Sequence, residues 1–117
     1  MGICRLAADA PIPAWATARP FFSVSRGDDE LSIICPSRQI PADAPAHANW
    51  IALRLRGPFE LTMVGVLMAV AEPLARAGVS IMAVATHDTD YVLVRREQLG
   101  IAVESLLEAG HQVQPIP

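Results

Sequence analysis

Several features that mark common protein classes are missing from this sequence of 117 residues. It contains no lysine, and its nine arginines are outnumbered by twelve acidic residues, which gives a formal net charge of −3. Nucleic-acid binding normally requires a basic surface, so we expect no nucleic-acid partner. Aromatic residues make up only 5% of the chain, whereas RNA-binding sheets stack bases on several aromatic side chains.

Cysteine and histidine are also scarce. Cys4 and Cys35 are too few for a disulfide framework, and we expect both to be buried free thiols. His47, His87 and His111 lie far apart in the sequence, so no metal site is predicted. The catalytic motifs G-x-S-x-G and H-E-x-x-H and the phosphate loop G-x-x-x-x-G-K are absent. We therefore predict no catalytic residue, no cofactor and no enzymatic activity.

No stretch of the chain is apolar for long enough to span a membrane, which takes about 20 residues. The first residues, MGICRLAADAP, lack the basic and apolar regions of a signal peptide. Hydrophobic residues nevertheless make up 52% of the chain, which is enough to build a core and excludes a disordered protein. We expect a cytoplasmic protein without a membrane partner.

The first part of the chain predicts a small β-rich segment. Residues 3–6 predict a short strand, and the prolines that follow leave room for one helical turn. Residues 21–26 and 30–35 predict the strands of a hairpin around the turn sequence RGDD. The stretch PADAPAHAN predicts a linker or loop. Because so few residues rarely form a closed domain, we expect the hairpin to extend or cover the sheet of the second part.

The second part, residues 46–117, predicts strands and helices in the order β-α-β-β-α-β. The stretch WIALRLR alternates apolar and other residues, as a half-buried strand does. SIMAVAT and YVLVR predict a hairpin around HDTD, and residues 111–117 predict a last strand at a sheet edge. This order is the ferredoxin-like arrangement, an α+β fold in which two helices cover one face of a four-stranded antiparallel sheet.

Both predicted helices have an apolar stripe on one side. In the first, Thr62 suits the N-cap, Gly78 suits the end, and Pro73 removes one backbone hydrogen bond and bends the helix. Gly65 costs about 1 kcal/mol relative to alanine, which close approach of a ligand or tight packing on the sheet would explain. The second helix covers residues 97–109. The predicted inner residues are Met63, Leu67, Val70 and Leu74, then Leu99, Val103, Leu106 and Leu107.

The segment GPFELTMVGVLMAVAEPLARAGVSIMAVATHDTDYVLV resembles the ACT domain. More narrowly, the chain is similar to small bacterial tandem proteins related to the ACT modules of the cytosolic arginine sensor. In these, a shortened ACT-like unit, here containing FFSVSRGDDELSIICP, precedes a complete one. The resemblance implies a shortened unit at residues 1–45, a complete ferredoxin-like domain at 46–117, regulation by a small ligand and a homodimer.

The resemblance also implies an amino-acid site between the first helix and the turn that carries a T-x-x-x-D pattern. A helix start offers unpaired N–H groups to the carboxylate of the ligand, and an aspartate can bind its ammonium group. Relatives that recognise a cationic side chain have an acidic residue where this chain has Met63, which argues against arginine as the ligand. The implied ligand-binding residues are Phe59, Glu60, Leu61, Thr62, Met63, Val64 and Gly65, and opposite them Thr86, His87 and Asp90.

These residues also have explanations that need no ligand. Asp88, Thr89 and Asp90 suit a solvated turn, and an exposed turn position is the simpler account of His87. A second hypothesis therefore stays open, namely a dimerisation or docking module whose ligand pocket has lapsed, and Met63 favours it. A ferredoxin-like enzyme without a recognised motif is a third, because one fold hosts many functions.

Overall fold

The computed structural model describes residues 1–56 and 64–114. The chain divides into two compact units, Met1–Trp50 and Ile51–Pro117. The division predicted at residues 45 and 46 stays a prediction. Within the described residues, no helix is long and apolar enough to cross a membrane.

The first unit is built on a four-stranded sheet in the order β2-β3-β1-β4. β1 (Gly2–Leu6) lies between β3 (Leu31–Cys35) and β4 (Ala46–His47) and is antiparallel to both. β2 (Ser23–Arg26) completes the predicted hairpin with β3. Short 3-10 turns occupy Ala14–Thr17 and Ser37–Gln39. The short first strand, the single helical turn and the hairpin are therefore confirmed.

One face of this sheet forms an apolar core. Cys4 on β1 and Leu31, Ile33 and Cys35 on β3 share that face by alternation and are buried, together with Ala16 of the 3-10 turn. Both cysteines are free thiols, as predicted, and burial raises the pKa of each.

Two expectations for this part of the chain are wrong. The hairpin does not extend the second sheet, because β3 pairs with β1 in a sheet of the first unit; the alternative, that the hairpin covers the second sheet, stays a prediction. The predicted linker contains β4, in which Cys4 lies opposite Ala46 and Ile3 opposite His47. Both residues of β4 are exposed, so the strand depends on backbone pairing and leaves no apolar pattern in the sequence.

The second unit contains a three-stranded sheet in the order β5-β7-β6. β5 is Trp50–Arg54, β6 is Ile81–Ala85 and β7 is Asp90–Arg95. β6 and β7 form the predicted antiparallel hairpin. The insertion of β7 between β5 and β6 is the split βαβ arrangement, which confirms the α+β, ferredoxin-like fold class.

Two helices complete the second unit. α1 (Val66–Arg76) joins β5 to β6, and α2 (Leu99–Glu108) follows β7 after a 3-10 turn at Arg96–Gln98. The N-cap of α1 is Gly65, so the prediction of Thr62 as the N-cap is wrong, and the predicted inner residue Met63 lies outside the described residues. Alternate strand residues and the inner faces of the helices form one core, whose buried members are Leu55, Leu74, Val79, Val92, Val94, Ala102 and Leu106.

The prediction that Leu107 lies on the inner face of α2 is wrong. Leu107 is 52% exposed, whereas Ala102 and Leu106 are buried. The buried stripe follows the spacing of three to four residues along α2, and Leu107 lies about 100° further round the helix than Leu106.

The predicted last strand is not found in residues 111–114, and residues 115–117 lie outside the described part of the chain. The His111 N–H instead donates to the Leu106 carbonyl at 3.0 Å, which ends α2. Val113 packs against the core of the unit without joining the sheet. The apolar Val113 between two polar residues therefore indicated a side chain that packs on the core, but not a strand.

Two glycines in the second unit should respond oppositely to alanine. Gly78, which follows α1, has φ of +77°, where an alanine is strained, so Gly78→Ala should lower the free energy of unfolding by about 1–2 kcal/mol. Gly100 lies inside α2, and an added Cβ meets nothing within 4 Å. Gly100→Ala should therefore stabilise by up to about 1 kcal/mol. Urea unfolding measures both, and a shift of the same sign in both variants would contradict the assignment.

Candidate functional site

The end of β5 is bonded to the turn between β6 and β7. The Leu55 N–H donates to the Asp90 carbonyl at 3.0 Å, and the Thr89 hydroxyl donates to the Leu55 carbonyl at 2.6 Å. Leu55 is buried, and Thr89 and Asp90 are half-buried. These bonds place the chain that leads toward α1 directly beside the Thr86–Asp90 turn predicted from the sequence.

The turn itself uses the polar groups of Thr86. Its N–H donates to the Thr89 carbonyl at 2.8 Å, and its hydroxyl donates to the same oxygen at 2.9 Å and accepts from the Thr89 N–H at 3.2 Å. The His87 Nδ1 lies 2.8 Å from an Asp88 carboxylate oxygen, and both side chains are exposed. Thr86 and His87 therefore have partners within the turn.

Asp90 is differently placed. As the first residue of β7 it alternates with Val92 and Val94, so its side chain lies on the sheet face that the helices cover. Among the described residues, no hydrogen bond or ion pair of its carboxylate is found. Opposite it on β6 lies Ala85, and Ala83 follows on the same face; both are exposed. Small side chains thus leave the surface beside the carboxylate open.

The start of α1 has no neutralising group of its own. Gly65 precedes the helix with φ of +84°, it has no side chain to cap the first N–H groups, and the first turn contains no acidic residue. The first backbone bond of the helix runs from the Ala69 N–H to the Gly65 carbonyl at 3.0 Å. The positive end of the helix dipole is therefore not compensated by the first turn.

The presence of glycine at position 65 has a simpler explanation than the two expected from the sequence, which were close approach of a ligand and tight packing on the sheet. A Cβ added there would meet nothing within 4 Å, so neither tight packing nor a neighbouring chain segment among the described residues requires a glycine. The positive φ does require it, because only glycine adopts that conformation without strain. Val64, just before it, is 93% exposed.

The connectivity places the start of α1 at the same end of the sheet as the Thr86–Asp90 turn. α1 and β6 are both about 16 Å long, and only residues 77–80 separate them. α1 therefore ends near the start of β6 and begins toward the other end of that strand, where the turn lies. Val66, its first residue, packs against the core that contains Leu55.

The predicted binding residues are thus only partly described. Phe59, Glu60, Leu61, Thr62 and Met63 lie outside the described residues, and their roles stay predictions. The role of Thr89 was missed, because its hydroxyl bonds a residue 34 positions earlier in the chain and the sequence gives no sign of that contact. No group of three metal-ligating side chains occurs within residues 1–56 and 64–114.

Comparison with known proteins gives matches over nearly the whole length of the chain. An ACT domain family model matches residues 46–108, and a family model of an N-terminal domain matches residues 1–43. A crystal structure of a protein from Agrobacterium tumefaciens is 40% identical, with a TM-score of 0.91, and the match covers 97% of this chain and 84% of that one. No curated protein matches the sequence.

More distant structures share the fold. A Vibrio cholerae protein of unknown function, described as a possible transport protein, is 18% identical with a TM-score of 0.70, over 94% of this chain and 84% of that one. The regulatory subunit of aspartate kinase from Thermus thermophilus, in its ligand-free form, is 12% identical with a TM-score of 0.63, over 94% of this chain and 91% of that one.

The bond between Thr89 and Leu55 predicts a measurable stability difference. Thr89→Val keeps the shape of the side chain but removes the donor, so the free energy of unfolding should fall by about 1 kcal/mol. Thr17→Val is the matched control, because the Thr17 hydroxyl bonds only within its own exposed turn. The control should change stability by less than about 0.5 kcal/mol in urea unfolding. Equal losses in the two variants would contradict a special role for Thr89.

Proposed function

We propose that this chain, which belongs to the ACT domain family, is a non-catalytic regulatory protein that binds a free amino acid at the end of its second sheet. The observation that carries the proposal is the Asp90 carboxylate, which has no bonded partner within residues 1–56 and 64–114 and lies on the helix-covered face at the end of the sheet where α1 begins. The fold it shares with an aspartate kinase regulatory subunit supports a regulatory role. A cytoplasmic location remains a prediction from the sequence.

The two polar ends of this site suit the two charges of a free amino acid. Asp90 would accept hydrogen bonds from the ammonium group, since carboxylates are strong acceptors for charged donors. The N–H groups of Val66 and Leu67, at the positive end of the α1 dipole, would bind the carboxylate. The ligand side chain would then lie near Ala83 and Ala85, whose uncharged surface supports a ligand other than arginine.

Ligand binding is tested by thermal shift and calorimetry with each of the twenty amino acids. A ligand at one hundred times its Kd should stabilise the protein by about 2.7 kcal/mol. Asp90→Asn should weaken that binding about tenfold or more, because it removes a charged hydrogen bond worth about 1.5–3 kcal/mol. Asp88→Asn is the matched control, since Asp88 is exposed in the same turn and bonds His87.

Two outcomes would contradict the proposal. Equal weakening by both substitutions would mean that general charge, and not the position of Asp90, controls binding. No stabilisation by any amino acid at millimolar concentration would favour the second candidate, a docking or dimerisation module whose pocket has lapsed. The observation that favours this candidate is the Thr86 hydroxyl, which is already bonded within the turn.

We also propose that the protein is a homodimer joined along β6. β6 is an edge strand of its sheet and has the sequence IMAVA, without the charge or proline that normally protects such an edge. A second copy related by a two-fold axis would pair antiparallel with it and extend the sheet. Ala83, the middle residue, would then lie close to its own copy.

A lysine in the middle of β6 should separate the two copies. Ala83→Lys would bring two like charges together at the axis, so the dimer Kd should rise by at least tenfold. Ala75→Lys adds the same side chain at an exposed position in the last turn of α1 and should leave the association unchanged. Sedimentation velocity measures both. A wild-type protein that is monomeric at high micromolar concentration would contradict the dimer.

A further inference from the structure

Pro73 leaves one carbonyl of α1 without its usual donor. In an α-helix each N–H donates to the carbonyl four residues earlier, so the N–H of residue 73 would serve Ala69. Proline has no N–H, and Pro73 lies inside the helix and is buried. The Ala69 carbonyl must therefore find another donor or remain unpaired within the helix.

His111 supplies that donor from the end of α2. Its Nε2 lies 2.8 Å from the Ala69 carbonyl oxygen. Because a carbonyl only accepts hydrogen bonds, Nε2 must carry the hydrogen, which fixes the tautomer of the neutral ring. The backbone of His111 is held in turn, since its N–H donates to the Leu106 carbonyl at 3.0 Å. The ring is thus positioned by α2 and bonds α1.

We propose that His111 is a latch that couples the C-terminal segment, residues 111–114, to α1 by replacing the hydrogen bond that Pro73 removes. The bonded carbonyl belongs to Ala69, whose own N–H donates to the Gly65 carbonyl at 3.0 Å. One continuous series of hydrogen bonds therefore runs from the residue that precedes α1 to the end of α2. A displacement of the first turn of α1 is transmitted along it to the C-terminal segment.

Residues 112–114 are placed so that they would respond to release of the His111 ring. Val113 packs against the core shared by α1 and α2, so the segment is held by the backbone of His111, by the ring of His111 and by the side chain of Val113. Release of the ring leaves the backbone bond to Leu106 and the packing of Val113, and removes the direct hydrogen bond to α1. The latch is a property of the fold and does not depend on whether the chain binds an amino acid.

A double-mutant cycle separates a latch from an incidental surface contact. His111→Ala should lower the Tm by roughly 2–5 °C when residue 73 is proline. In the Pro73→Ala background the helix regains its own donor, so the same change at residue 111 should cost less than half as much. His111→Gln, which places an amide N–H₂ at a similar distance, should recover most of the loss. His87→Ala is the control, because His87 is exposed in a turn, and it should leave the Tm unchanged.

Two further measurements do not depend on the folding of the Pro73 variant. Nitrogen NMR of the wild-type protein at pH 8 should find His111 in the Nε2–H tautomer. Hydrogen exchange of the residue 111 amide, which donates to the Leu106 carbonyl, should be at least tenfold faster in His111→Ala than in the wild type. A Nδ1–H tautomer, unchanged exchange, or equal Tm losses in the two backgrounds would each overturn the latch.

Discussion

Two hydrogen bonds at Leu55 fix the geometry on which the candidate site depends. They hold the end of β5 against Thr89 and Asp90, so that the chain entering α1 and the turn leaving β6 share one end of the sheet. Backbone pairing alone would align β5 with β7. The added bond from the Thr89 side chain secures the turn as well, and the turn sets the start of β7 and therefore the face on which the Asp90 carboxylate lies.

The electrostatics at this end of the second sheet follow from the lack of charged residues at the start of α1. α1 begins after a glycine and has no acidic residue in its first turn, so the positive end of its dipole is not neutralised there. Asp90 has no bonded cation among the described residues, although Arg56 lies next to the buried Leu55. A helix end and a carboxylate that each lack a partner in the part of the chain that the structure describes form a pair of opposite charges suited to a zwitterion.

The sequence predicted those parts of the fold that leave a periodic or local signature. Alternation identified β5, turn residues identified both hairpins and with them β7, and the apolar spacing identified both helices. β4 could not be predicted, because it pairs through its backbone and exposes both of its residues. Two side chains that join separate elements, Thr89 and His111, were also missed, since their partners lie 34 and 42 positions earlier in the chain. Residues 59–63 of the predicted site lie outside the described residues.

The most direct test of the central claim is an NMR titration of the wild-type protein with each amino acid, following the backbone amides. If the start of α1 and the β6–β7 turn form one binding site, the amides of Val66, Leu67 and Asp90 will shift together and fit a single Kd. Shifts confined to one of these two elements, or no saturable shift with any amino acid, would contradict a shared site.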